Sequence, residues 1–258
     1  MPFTPAHVAA VLPVMGRRRP RWCVPSALAI GAMVPDAQYF LPVRGDRSFS
    51  HSLTGIVTLD LVLGLVAFGW WRWAAPALRD LSPGAVRDRL PVPVRPGGRQ
   101  WLAAAVCVVV GALTHVAWDA FTHADGWVVR HVPSLREPVL GSLAAFKLAQ
   151  FASGILGTAV VAWWVWNRLR TTAPMARGAA LSSARERSTS WLVVATVPVV
   201  VAVATVAQQL RFGTSAEVLA FAVVTRVIGV AAAVLVCLVV WWHVAVASRR
   251  DAGSLTRV

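Results

Sequence analysis

Six long apolar segments dominate this sequence and leave few folds open to it. A helix needs about 20 mainly apolar residues to cross the hydrocarbon core of a bilayer. Hydrophobic residues make up 57% of the chain, which leaves too few polar residues to cover a soluble globule of 258 residues. We predict an all-α, polytopic helical membrane protein with about six transmembrane helices and a short N-terminal helix at residues 4–15. The spans are predicted at about residues 25–41, 51–73, 100–122, 147–166, 191–210 and 218–246.

Arginines give the predicted helices an orientation. The net charge of +14 comes mainly from connections 17–21, 72–99 and 168–187, and Arg249 and Arg250 follow the last span. All of these lie on one side of a six-span topology, and short loops rich in arginine stay in the cytoplasm. We therefore expect a bacterial inner-membrane protein that contacts anionic membrane lipids and no nucleic acid. Residues 44–50 and 125–138 would face the extracytoplasmic side.

One apolar segment ends in a group of ionisable residues, within Gly111 to Gly126. On a helix, His115, Asp119 and His123 are spaced i, i+4, i+8, so the three side chains share one face. Ionisable residues at membrane depth are costly and mark functional sites. Nitrogen and oxygen ligands suit zinc first, with manganese or iron as alternatives. A capped helix end is the simpler alternative for the same residues.

Other spans place ionisable residues toward the same end. Asp36 and His51 lie at the extracytoplasmic ends of their predicted helices, and His7 lies in the short N-terminal helix. His7 fits less easily, because ten helical residues put it only about 15 Å from the cytoplasmic arginines. Asp60 would be turned away from His51 on a continuous helix, so we predict a separate partner for it, such as Arg226, or a protonated carboxyl group.

These residues together predict a metal site. The candidate metal ligands are His7, Asp36, His51, His115, Asp119 and His123, and the candidate catalytic carboxylates are Asp36 and Asp119. Six ligands exceed the need of one ion, so a pair of ions is possible. A divalent metal can activate water for attack on an ester or phosphoester, which is the chemistry of a hydrolase. Because the three cysteines are scattered, neither a disulfide framework nor a thiolate metal site is indicated.

Five blocks of the sequence resemble a bacterial membrane family. They read MPFTPAHVAAVLP, IGAMVPDAQYFLP, FSHSLTGIVTLDLVLG, GALTHVAWDAFTHADGWVV and FKLAQFASG. They are similar to the family known as domain of unknown function 4184 and, more distantly, to inner-membrane metal-dependent hydrolases induced by DNA damage. The resemblance implies a membrane-bound metal-dependent hydrolase. It marks the six candidate ligands and also Asp60, Lys147 and Gln150.

The resemblance covers about the first two thirds of the chain. We therefore expect residues 1–170 to carry the His/Asp cluster, and residues 171–258 to supply a linker and two scaffold helices. The expected function is hydrolysis of an ester or phosphoester of a membrane-associated substrate. Two other functions fit the same residues: a non-enzymatic protein with a structural metal site, and a transporter whose His/Asp cluster forms a polar path. The sequence shows no internal repeat of the kind that transporters carry.

Overall fold

The computed structural model describes residues 4–16, 18–40, 45–91, 96–175 and 180–255. The chain is almost entirely helical, as predicted, and the strands among the described residues are β1 (Pro138–Leu140) and β2 (Leu143–Ala144), which form a small antiparallel hairpin. Arg17 and Arg44, which belong to the loops of the orientation argument, lie outside the described residues, as does part of loop 72–99.

Five helical segments of the described chain are long and apolar enough to cross a membrane. They are Leu53–Leu81, Gly98–His131, Ala145–Thr171, Ala184–Arg211 and Ala216–Val246. The segment at 25–41, expected to be a sixth span, instead contains α1 (Pro25–Gly31) and a 3₁₀ helix (Val34–Tyr39). Pro35 lies in the first turn of the 3₁₀ helix, where its missing N–H is tolerated, and it disfavours a continuous α-helix through the residue before it.

The chain divides into two compact units, and the first consists of Met1–Trp71 and Arg95–Thr171. Its long helices are α6 (Gly98–Thr122) and α8 (Ala145–Thr171). Between the 3₁₀ helix and α6 lie α2 (Arg47–Ser50), α3 (Leu53–Gly55), a π-helical turn (Ile56–Asp60), α4 (Leu61–Leu81) and α5 (Gly84–Arg87). The short helix α7 (Trp127–His131) follows α6. The core of the first unit includes four fully buried residues, Leu28, Ile56, Phe68 and Val108.

Two glycines let α1 and α6 pack closely. A side chain at Gly31 would meet the Val108 carbonyl oxygen at 2.3 Å, and one at Gly111 would meet the Leu28 carbonyl oxygen at 2.5 Å. Small residues of this kind allow the backbones of membrane helices to approach each other. His115 lies one turn after Gly111 on the same face, so this contact brings it against the end of α1.

The N-terminal helix is a 3₁₀ helix from Thr4 to Met15 and packs against α8. At that contact, a side chain at Gly157 would lie 2.8 Å from the Ala6 carbonyl oxygen. A 3₁₀ helix rises about 2.0 Å per residue, which makes it about a third longer than an α-helix with the same number of residues. From His7 to Met15 this helix is therefore about 16 Å long, against about 12 Å for an α-helix.

The second unit consists of Arg72–Val94 and Thr172–Val258 and contains α9 (Ala184–Arg211) and α10 (Ala216–Leu255). A capping box of Ser183 and Glu186 begins α9. The carboxylate of Asp80 is buried and accepts hydrogen bonds from the Ser182 hydroxyl at 2.7 Å and from the Trp242 indole at 2.8 Å. These bonds tie the linker and α10 to the end of α4.

The ends of α8 test the predicted orientation. Ser134 and Thr171 are both exposed, and they lie before and at the end of this apolar helix. We expect a membrane-impermeant thiol reagent to label Ser134→Cys in intact cells, and to label Thr171→Cys only after lysis, because arginines follow Thr171. The background replaces Cys23, Cys107 and Cys237. The reverse labelling pattern would place the His/Asp cluster toward the cytoplasm.

Candidate metal centre

Four ionisable side chains from three parts of the chain meet inside the first unit. Asp36 comes from the 3₁₀ helix after α1, His51 from the end of α2, and His115 and Asp119 from one face of α6. One ligand atom of each lies within 4.8 Å of the others. His51 Nε2 is 3.3 Å from Asp119 Oδ2 and 3.7 Å from Asp36 Oδ1, and His115 Nε2 is 3.6 Å and 3.7 Å from the same two oxygens.

The two histidines are held by their outer nitrogens. Nδ1 of His115 lies 2.9 Å from the Ala32 carbonyl oxygen, and Nδ1 of His51 lies 3.1 Å from the Arg47 carbonyl oxygen. A carbonyl oxygen cannot donate, so His115 carries its proton on Nδ1 and turns an Nε2 lone pair inward. The same tautomer of His51 would let its Nδ1 donate to the Arg47 carbonyl, and the Ser50 hydroxyl also lies 3.0 Å from this nitrogen. Metal-binding histidines are commonly fixed in this way. The Ala32 contact depends on the close packing of α1 against α6.

Three polar atoms of these residues have no hydrogen-bond partner among the described residues. They are His51 Nε2, His115 Nε2 and Asp119 Oδ1, all of them buried. Buried polar atoms are almost always paired, because leaving one unpaired costs about 1–3 kcal/mol. The two unpaired nitrogens face the same two carboxylate oxygens, Asp36 Oδ1 and Asp119 Oδ2, which indicates a partner that is not a protein group.

The donor set fits a divalent metal ion. A tetrahedral ion with bonds of about 2.0–2.1 Å has ligand atoms about 3.3 Å apart. The four nitrogen-to-oxygen separations of 3.3–3.7 Å are close to that value. Two imidazoles and two carboxylates suit zinc, manganese or iron, and the donors alone do not select among them. The structure therefore supports a metal-binding cluster formed by Asp36, His51, His115 and Asp119.

Each carboxylate has a second oxygen outside this group of four. Asp36 Oδ2 accepts a hydrogen bond of 2.8 Å from the Thr4 hydroxyl. Asp119 Oδ1 faces His7 Nε2 at 3.6 Å and His123 Nδ1 at 3.4 Å. The structure thus places His7 and His123 beside the four-residue cluster, on the far side of Asp119.

His7 lies outside the five candidate spans but is buried. Its ring stacks on that of His115, with centroids 3.8 Å apart. Burial and the neighbouring His115 lower the pKa of His7 to about 4. Its imidazole is therefore neutral at pH 7, the form that can serve as a ligand.

His123 is not part of the helical ladder that its spacing suggested. It caps the C-terminus of α6 in an extended conformation, with φ −121° and ψ 144°. Nε2 of His123 lies 2.9 Å from the amide nitrogen of Gln150, whose oxygen is buried without a partner among the described residues. Amide nitrogen and oxygen are similar in shape. Turning the Gln150 amide by 180° would let its oxygen accept from Nε2–H and free Nδ1 toward Asp119.

Arg47 contacts the cluster, and the sequence analysis did not single it out. Its guanidinium lies 3.0 Å from Asp119 Oδ2 and also pairs with Asp125. Arg47 precedes His51 by one helical turn, which was the available signal. It looked like one more loop arginine because its partners are about 70 residues away in the chain.

Asp60 lies outside the four-residue cluster. It ends the π-helical turn, is fully buried, and neither carboxylate oxygen has a hydrogen-bond partner among the described residues. Arg226, the expected partner, donates instead to Gln208 at 2.9 Å. His51 and Asp60 do not lie on one continuous helix, as the expectation assumed, because the chain changes from α2 to α3 and then to a π-helical turn between them.

Two further histidines have ordinary contacts. Nδ1 of His131 lies 2.7 Å from the Trp127 carbonyl oxygen on α7. His243, in the second unit, stacks on Trp73 with ring centroids 4.3 Å apart. Neither was expected at the site.

Comparison with known proteins identifies the family. The family model described as "Domain of unknown function (DUF4184)" matches residues 1–242, which extends beyond residue 170, where the resemblance was expected to end. No curated protein and no solved structure matches the chain significantly. The matched range contains Asp36, His51, His115 and Asp119. The chain belongs to the DUF4184 family, whose description assigns no activity.

Proposed function

We propose that this protein is a membrane-embedded, metal-dependent hydrolase that cleaves a phosphoester of a membrane-associated substrate. The observation that carries the proposal is the pair of buried, unpartnered Nε2 atoms of His51 and His115, which face the carboxylates of Asp36 and Asp119. We further propose that the membrane is the inner membrane of a bacterium and that zinc is the resident ion, with manganese or iron as alternatives. The membrane placement rests on the arginine pattern. The choice of metal rests on the donor chemistry.

Asp36, His51, His115 and Asp119 would hold the ion. When bound, a divalent ion lowers the pKa of a coordinated water toward neutrality and polarises the bond to be broken. Asp119 Oδ1 has no hydrogen-bond partner among the described residues and can accept the proton of the attacking water. The Thr4 hydroxyl holds Asp36 in place through its other oxygen.

Charge favours a phosphoester over a neutral ester. Two carboxylates and a divalent ion sum to zero when the histidines are neutral, and Arg47 adds one positive charge beside Asp119. Its other partner, Asp125, has a side chain that is 65% exposed, so water screens that interaction. A guanidinium can bind two phosphoryl oxygens at once, which would orient an anionic substrate at the cluster.

A second ion would extend the same proposal. His7 Nε2 and His123 Nδ1 face Asp119 Oδ1, so these atoms together with the carboxylate could hold a further ion on the far side of Asp119. Sites with two ions that share a carboxylate are suited to phosphoester hydrolysis. Two equivalents of metal per chain would support this arrangement, and loss of one equivalent in His7→Ala would assign it.

Metal content and metal-dependent turnover test the proposal together. The protein is purified in detergent, stripped with a chelator and reloaded with zinc, manganese or iron. We expect at least one equivalent of one metal by elemental analysis, and hydrolysis of short-chain phosphomonoesters or phosphodiesters that stops with the chelator and returns with the metal. Absence of stoichiometric metal contradicts the metal site, and metal without turnover contradicts the hydrolase.

The four donors also fit a closed structural site, because structural ions are commonly bound by four protein ligands. This is the observation that favours the non-enzymatic alternative. It predicts that metal removal lowers the melting temperature while no phosphoester is cleaved in the metal-loaded state. A titratable solvent ligand, detected by spectroscopy of the cobalt-substituted protein, would instead show an open coordination position.

A further inference from the structure

An apolar groove on the first unit is lined in part by His7, the neighbour of the metal-binding cluster. It has a volume of about 460 Å³ and lies between the N-terminal 3₁₀ helix and α8, with Trp118 of α6 at one end. Alanines line one wall, and Gly154, Gly157 and Val160 line the other. The groove exists because these side chains are small where the two helices approach each other.

The lining offers almost no hydrogen bonds to an occupant. The Ser153 hydroxyl donates to the Gln150 carbonyl at 3.1 Å and accepts from the Trp118 indole at 3.2 Å. Its hydrogen-bonding capacity is therefore largely used within the protein. The remaining polar side chain in the lining is that of His7. An occupant of this groove must be apolar along its length.

His7 joins the groove to the cluster. It lines the groove, its ring stacks on His115, and its Nε2 lies 3.6 Å from Asp119 Oδ1. An extended molecule in the groove would therefore contact His7, which in turn contacts His115 and Asp119. The apolar part of that molecule and its reacting part would occupy adjoining places.

The groove can be reached from the hydrocarbon of a bilayer. It lies along α8, one of the candidate membrane spans, and Leu156 and Val160 on its rim are 64% and 46% exposed. A chain that moves from lipid to this groove exchanges one hydrocarbon environment for another. The groove would therefore fix the position of a substrate and contribute little to the strength of binding.

We infer that the substrate is a lipid phosphoester, with a hydrocarbon chain in the groove and its phosphoryl group at the cluster beside Arg47. The inference rests on the proposed function and names its substrate class. In the reaction, the oxygen of a water molecule bonds to phosphorus and the bond from phosphorus to the leaving oxygen breaks. The proton taken from the water is delivered to that leaving oxygen, so no other reactant is needed.

Filling the groove tests the inference. Ala10 lines the groove and is exposed, so Ala10→Phe places a ring in the groove without entering the core. Ala159→Phe is the matched control, because Ala159 is exposed on α8 and does not line the groove. Metal content is measured for both variants and is expected to equal that of the wild type.

The first measurement compares two substrates with the same head group, one with a long chain and one with a short chain. We expect the wild type and Ala159→Phe to prefer the long-chain lipid phosphoester at least tenfold in kcat/KM. Ala10→Phe should lose this preference through a lower kcat/KM on the long-chain compound. Equal preference in all three proteins overturns the inference and leaves the hydrolase standing.

The second measurement does not depend on turnover. A phosphate-bearing lipid with a photoreactive diazirine on its chain is incorporated into the detergent micelles of the metal-loaded protein. We expect labelling of the groove walls, in excess of that at the lipid-facing Ile155, and at least a fivefold decrease in Ala10→Phe but not in Ala159→Phe. Labelling that is uniform along α8, or unchanged in Ala10→Phe, overturns the inference whether or not hydrolysis is found.

Discussion

His115→Ala is expected to lose stoichiometric metal and to melt at a lower temperature. The substitution removes an inward-facing nitrogen and also the contact with the Ala32 carbonyl, which links α6 to the end of α1. Ligands of one ion act together, so metal affinity should fall by about 100-fold or more. Binding free energy at such a site is shared with folding, so the loss of metal should destabilise the protein as well. Elemental analysis and thermal unfolding in detergent measure the two effects.

His243→Ala is the matched control, because it removes an imidazole that stacks on Trp73 far along the sequence from the cluster. Its metal content should equal that of the wild type. A further comparison separates packing from binding: when both proteins are stripped of metal, most of the difference in melting temperature between His115→Ala and the wild type should disappear. The metal site is refuted if His115→Ala and His243→Ala retain the same amount of metal.

Arg47→Ala is expected to lower kcat/KM for a phosphoester by about 100-fold while metal remains bound. The guanidinium contacts Asp119 but is not a ligand, so its loss should affect the anionic substrate more than the ion. Hydrogen bonds between guanidinium and phosphate are charge-assisted and often bidentate, and an ammonium group reproduces only the charge. Arg47→Lys should therefore recover part of the activity. Steady-state kinetics of the metal-loaded variants measure both effects.

The control for Arg47 is Arg130→Ala, which removes an exposed arginine of α7 with the same change in net charge. It should leave kcat/KM within about twofold of the wild type, because exposed charges are screened by salt. A loss of metal in Arg47→Ala would show that Arg47 holds the cluster together and does not bind substrate. Equal activity of the two variants would remove Arg47 from the mechanism.

Much of the fold follows from local sequence. Long apolar segments predicted the helices. For the four candidate spans after Leu53–Leu81, most of the predicted ends lie within a few residues of the observed ends. The segment at 25–41 differed because hydropathy does not register Pro35, which disfavours a continuous α-helix through the residue before it. Its composition is that of a span, whereas its backbone geometry is not.

Part of the site could be predicted from the sequence, because helical spacing is a local property. His115 and Asp119 are one turn apart on α6, so helical spacing alone placed them on one face. His123 would have joined them only if α6 continued, and helix ends are poorly defined by spacing. His7 looked too close to the arginines because we assumed an α-helix. The twelve residues instead form a 3₁₀ helix, which is unusual at this length and is longer than an α-helix with the same number of residues.

Contacts between distant segments were beyond such reasoning. Arg47 meets Asp119 and Asp125 only after α2 has packed beside α6, and Gln150 meets His123 only after α8 has done so. No spacing along the chain encodes these contacts. The resemblance to the family marked Gln150 but not Arg47.

The four candidate ligands come from three parts of the chain. This sets an order for the insertion and folding of the protein. Each long helix can enter the bilayer alone, since its backbone hydrogen bonds are satisfied within the helix. The ligand set does not exist until the glycines of α1 and α6 are in contact and α2 has joined them. Binding of a metal at this cluster would therefore follow insertion. A cell starved of the ion would accumulate inserted but loosely associated chains, which membrane quality-control proteases could recognise.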